Sequence, residues 1–126
     1  MVRYEHLPIY KASIDLAAYI EQIVIGFSRY HKYTLGSELR VLSHKIILLI
    51  ARANNALDKK ELLIELSNSL EEMKILVRLS KEVKAFHSFH SFEVCIRHLD
   101  NIIKQCSGWI KSQKNNMPEL IIKNNN

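Results

Sequence analysis

Apolar residues recur along this chain at alternating steps of three and four, the spacing of helices that bury one face. Leu16, Ile20, Ile23 and Phe27 carry the first stripe, extended backwards by Ala12 and Ile9 and widened by Val24, which predicts a helix over about residues 8–27. Pro8 suits its first turn, where a missing N–H leaves no hydrogen bond unmade. A second stripe, Leu35, Leu39, Leu42, Ile46, Leu49 and Ala53, follows Thr34, a residue type fitted to an N-cap, and predicts a helix over about 35–54. Asn54 and Asn55 suit its end. Asp58, with Glu61 three residues on, has capping-box spacing and opens a third helix. That helix points Leu62, Leu66, Leu70, Met73 and Val77 inward, holds Leu76 and Val83 at the stripe's edge and continues to about Phe86. Ser and His residues then interrupt the pattern. Phe92, Ile96, Leu99, Ile103, Cys106 and Ile110 mark a fourth helix, starting near Ser91.

No segment alternates with the period of two that a strand requires, and no internal repeat is visible. Three Gly and two Pro are too few for the turns of a sandwich or barrel, and they form no phosphate-cradling loop. Four amphipathic helices with short links pack most economically as an all-α, antiparallel up-down four-helix bundle over residues 1–114. Residues 115–126 form an Asn-rich tail that is expected to be mobile. With 48% hydrophobic and 25% charged residues, a chain of this length can bury one core of its own.

Two helices carry more apolar surface than one core consumes. Val41 and Leu48 lie roughly 130° from the core stripe of the second helix. Ile75, Leu79 and Phe86 form a similar second stripe on the third. A monomeric bundle places polar residues on such faces, so these five positions either mark the second and third helices as the most buried or, the favoured reading, point to contact between copies in a homo-oligomer.

Charge adds a second feature. Eighteen Lys and Arg against thirteen Asp and Glu give +5, which favours an anionic partner. The cations are also aligned. Arg97, Lys104 and Lys111 repeat every seven residues on the fourth helix, and Lys74, Arg78 and Lys81 form a stripe on the third, with Glu71 and Glu82 only at its ends. Lys45 and Arg52 are seven apart on the second helix, with Arg40 on another side. Such lines are either solvated faces or a surface for a polyanion backbone read without base specificity, and these nine cations are the candidate nucleic-acid contacts. The segment Arg29-Tyr30-His31-Lys32-Tyr33 mixes cations with rings; it suits stacking on unpaired bases as well as it suits an ordinary loop.

Catalytic chemistry is not apparent. Cys95 and Cys106 lie eleven apart without an activating neighbour and read as small packed hydrophobes. His87 and His90, with His98 further on, lack a Cys or carboxylate in register for a metal. Asp15 and Glu21 do not share a helix face. Neither an enzyme nor a bound cofactor or metal is expected. The longest apolar run, Ile46 to Ala51, is far short of the roughly 20 residues that span a bilayer. With no signal peptide at the start, a cytoplasmic location and no membrane partner are expected.

Two segments carry a family likeness: Tyr33-Thr34-Leu35-Gly36-Ser37-Glu38-Leu39-Arg40 opening the second helix, and Ser107-Gly108-Trp109-Ile110-Lys111-Ser112 closing the fourth. With Ile75-Leu76-Val77-Arg78-Leu79-Ser80-Lys81 as a third partial match, the chain resembles the accessory variability determinant (Avd) proteins of diversity-generating retroelements over about residues 8–114. The resemblance implies a four-helix bundle that assembles as a pentameric, positively charged ring. It implies two partners, the retroelement's reverse transcriptase and its template RNA or an RNA/DNA hybrid. It further implies a non-catalytic role in the error-prone copying that diversifies a target gene. Such proteins often carry Gly-Gly before the Trp; here the pair is Ser107-Gly108. The chain is also similar in architecture to the bundle proteins of ribosomal RNA intervening sequences, for which a protein interaction module would be the alternative. The Thr-Leu-Gly opening favours the first family.

Overall fold

Pro8 occupies the first turn of helix α1 (Pro8–Ile25), as its missing donor allows, and one 3-10 turn at Tyr4–His6 precedes it. The computed structural model describes residues 3–115, so the Asn-rich tail lies outside the described residues from 116 onward. A four-residue helix, α2 (Arg29–Lys32), stands in what the spacing treats as loop, followed by α3 (Leu35–Asn55), α4 (Lys60–Glu82) and α5 (Phe89–Asn115). There is no strand among the described residues. Helix α1 packs against α3 and α5, and α4 packs against the same two neighbours. With short links this is the antiparallel up-down four-helix bundle that the periodicity predicts.

The core runs the length of the bundle. Leu16 and Ile20 of α1 meet Leu39, Ile46, Leu49 and Ile50 of α3, Leu63, Leu66, Leu70 and Met73 of α4, and Leu99 and Ile102 of α5. Each such side chain contributes about 1.5–3 kcal/mol by leaving water. Three of the four buried serines let helices approach closely without stranding a hydroxyl. Ser13, Ser43 and Ser80 each donate back to a carbonyl of their own helix, at Tyr10, Arg40 and Leu76, over 2.7–2.8 Å. Gly36 serves the same end at the α1–α3 contact: a Cβ there would fall 2.7 Å from Val24 Cγ1.

The inward faces are rotated from the predicted stripes in two helices. In α5 the buried residues are Cys95, Leu99, Ile102 and Cys106, whereas Phe92, Ile96, Ile103 and Ile110 are half-buried. A helix wedged between two neighbours buries a wide sector. Its deepest line points at the bundle axis, not along the most apolar row. Leu63 likewise displaces Leu62 as the buried residue at the start of α4.

Helix ends also depart from expectation. The Thr34 hydroxyl does not cap α3; it donates back to Tyr30 and His31, closing α2 instead. The Asp58 carboxylate accepts from the Lys60 N–H at 3.1 Å, so the acidic cap exists, with Lys59 taking the cap position. Lys59 has a further role. Its ammonium donates to the carbonyls of Ala53, Asn54 and Ala56 at 2.7–2.9 Å, collecting the open end of α3. Lys59→Met, which keeps the stem and removes the donors, is expected to lower stability by about 1–2 kcal/mol in a denaturant titration.

Helix α4 stops at Glu82, short of the predicted Phe86. Lys84 takes a φ of 59°, and the Ala85 N–H reaches back to the Ser80 carbonyl at 2.8 Å. This is a left-handed helix terminus of the kind glycine usually fills. A lysine there carries a steric cost, so Lys84→Gly is expected to raise stability by up to about 1 kcal/mol, read as a higher melting temperature.

Candidate nucleic-acid interface

One ion pair marks the register of α4 against α5: Lys74 Nζ lies 3.1 Å from Asp100 Oδ1. One turn on along α4 and one turn back along its antiparallel neighbour, Arg78 comes level with Ile96 and Arg97. A turn further, the Lys81 ammonium sits 5.1 Å from the centre of the Phe92 ring. In the other direction Lys104 and Lys111 continue the outer line of α5, both exposed like Arg97 and Arg78. Gly108 stands between them with nothing within 4 Å of the position a Cβ would take. The backbone therefore makes no close approach there, and this stretch of α5 is open helix surface.

Three of the nine candidate cations are already engaged. Lys74 is held by Asp100. Arg40 Nε donates to both oxygens of Glu21 at 2.8 and 3.0 Å, with His44 Nε2 3.1 Å from the same carboxylate. Lys45 lies 3.5 Å from Glu65. The Arg40 hydrogen bond, helped by His44 and outweighing a desolvation penalty, holds the Glu21 carboxyl below the usual carboxylate range. A carboxyl lowered in the fold stabilises it above the ordinary range, and that contribution fades as pH falls through the folded value. Because these groups are about half exposed, the α1–α3 pairing contributes little at neutral pH.

The other six behave differently. Arg52, Arg78, Lys81, Arg97, Lys104 and Lys111 have no carboxylate at ion-pairing distance among the described residues. Arg52 stands apart on α3, which packs on the opposite flank of α4 from α5. The remaining five share the α4–α5 side of the bundle. Cross-helix pairing was not legible in the sequence, because it depends on which residues of neighbouring helices fall level. Lys74 and Asp100 are 26 positions apart.

The second apolar faces are open. Val41 and Leu48 on α3 are 68% and 53% exposed, and Ile75 and Leu79 on α4 are 63% and 45% exposed. A groove of about 410 Å³ lies where the two helices meet, lined by Ser37, Glu38, Val41 and Leu42 of α3 and Glu72 and Leu76 of α4. Ile64 extends the exposed apolar line of α4; its spacing of eleven from Ile75 was the available signal. Phe86 does not belong to this face. Because α4 has ended, its ring turns inward to meet Phe27 and Phe92 edge to face, at 5.4 and 5.9 Å between centres.

No group of three His, Cys, Asp or Glu side chains that could hold a metal ion is present among the described residues. Burial pushes the Cys95 thiol up to about 12 and the Cys106 thiol up to about 11, which leaves both protonated and unreactive at neutral pH. No helix among the described residues is long and apolar enough to cross a membrane. A family model described as bAvd-like matches residues 8–113, from the first residue of α1 into the last turn of α5. A search of curated proteins finds no match.

Proposed function

The chain belongs to the bAvd-like family, and from that membership we propose that it is a non-catalytic accessory protein of a diversity-generating retroelement. In this role it works in the cytoplasm, holding the element's template RNA, alone or as an RNA/DNA hybrid, beside the reverse transcriptase. The observation that carries the nucleic-acid part is the pattern of pairing. Arg78, Arg97, Lys104 and Lys111 line one side of α4 and α5 without carboxylate partners, while Arg40 and Lys45 on α3 are held in ion pairs. A phosphate backbone gains most from cations that need not first release an acid. The exposed Val41, Leu48, Ile75 and Leu79 would close a ring-shaped homo-oligomer, a pentamer by family likeness, and so repeat the basic face around its outside.

The competing role is a module that recognises only protein, with its basic side merely solvated. Purification through a high-salt wash followed by a filter-binding titration with structured RNA separates the two. The proposal expects saturable binding that weakens steeply with added salt; absence of measurable affinity at low salt supports the protein-only module.

A further inference from the structure

At one end of the bundle the α1–α3 and α4–α5 connections touch. A Cβ on Gly26 would lie 3.6 Å from the His87 Cβ, and Phe27 meets Phe86. From that buried contact a series of rings steps outward. Phe86 packs on Phe92, and Phe92 on Phe89 with ring centres 5.6 Å apart. Phe89, the last, is 61% exposed. The Lys81 ammonium stands beside the two outer rings, 5.1 Å from the centre of Phe92 and 5.8 Å from that of Phe89.

The α2 connection at the same end repeats this chemistry. Tyr30 and Tyr33 are the most exposed aromatic side chains among the described residues, and Tyr30 is braced edge-on by His31 at 5.0 Å. Arg29 flanks them, and Lys84 projects from the neighbouring connection. None of Arg29, Lys81 and Lys84 has a carboxylate at ion-pairing distance among the described residues. Lys84 also occupies a left-handed position where glycine would cost less, so its cation stands there at some expense of stability.

Open rings interleaved with uncompensated cations match an unpaired strand of nucleic acid, whose bases offer flat faces and whose phosphates offer charge. A duplex offers only the second. We propose that this end of the bundle is a stacking platform for unpaired nucleotides, with Phe89, Tyr30 and Tyr33 taking bases and Arg29, Lys81 and Lys84 meeting phosphates. The inference rests on the nucleic-acid reading above and adds a second surface to it. The side of α4 and α5 holds backbone of any form, and the end holds bases that have left the helix.

The test compares a short fluorescent oligouridylate with an RNA duplex on the full chain. Phe89→Leu combined with Tyr30→Leu changes no charge, and both rings are exposed, so the helical melting curve should persist. Single-strand affinity is expected to fall about tenfold or more, with duplex affinity and the salt dependence unchanged. Phe89→Trp should retain binding, and its emission should be quenched by the oligouridylate. Lys84→Gly should raise the melting temperature yet flatten the single-strand salt dependence by about 0.7 of a log unit per log unit. The platform is overturned if the Leu pair binds the single strand as the wild type does, or loses duplex binding equally. In either event duplex affinity that still depends on Arg78, Arg97 and Lys104 leaves the proposed function standing. Tight capture of the wild-type end by a protein partner, with no Trp quenching by RNA, would also overturn the platform.

Discussion

Arg78, Arg97 and Lys104 changed together to Ala should weaken RNA binding by about 10²–10³-fold near 0.1 M salt, while the same number of changes at Arg40, Lys45 and Lys74 costs far less. Each phosphate contact supplies roughly a factor of ten at that ionic strength through release of a condensed counterion. Arg78, Arg97 and Lys104 have no acid to leave, so they deliver that factor whole. Arg40, Lys45 and Lys74 already stand 2.8–3.5 Å from Glu21, Glu65 and Asp100. To meet a phosphate each must abandon its carboxylate, whose charge then repels the RNA. The two triple variants have equal net charge, so non-specific attraction cannot separate them. Equal, modest losses in filter binding would mean that the bundle attracts RNA only through its overall charge.

The second large effect concerns assembly. Val41→Glu with Leu48→Glu is expected to convert an oligomer to monomers of 14.7 kDa by light scattering, with helical circular dichroism retained. Both side chains already face outward in the single subunit, so the substitutions cost the bundle itself little. Across an interface they would replace apolar contact with two desolvated carboxylates, each several kcal/mol unfavourable when unpaired. Glu38 and Glu72, which line the adjoining groove, add repulsion. Phe86→Ala behaves oppositely. It removes a ring packed between Phe27 and Phe92 and is expected to cost the fold about 3 kcal/mol without acting on the interface. A wild-type chain that is already monomeric at high concentration would end the ring proposal.

The architecture was open to sequence reading because burial in a helix follows a fixed angular step. Leu16, Ile20, Leu39, Ile46, Leu66, Leu70 and Leu99 fall where that step puts them. What escaped depended on neighbours. Cys95 and Ile102 lie deepest in α5 because α1 and α4 flank it on both sides. The Asp100 carboxylate, beside the basic line of α5, is taken up by Lys74 of another helix. Lys59 reaches back five and six residues to carbonyls that no periodicity marks. Phe86 and Phe89 were obscured by the end of α4. Once a left-handed residue breaks the helical step, spacing no longer says which way a ring points, and here one turns inward while the other stays in solvent.

That unpaired cations on the α4–α5 side meet successive phosphates together is tested most directly by the salt dependence of duplex RNA affinity. With log affinity plotted against log salt, the Arg78, Arg97 and Lys104 triple variant should show a slope shallower than the wild type by about 2–3, one unit for each phosphate released. Parallel lines for the two proteins, however far apart in affinity, would contradict it, since the three side chains would then be displacing no counterions from the RNA.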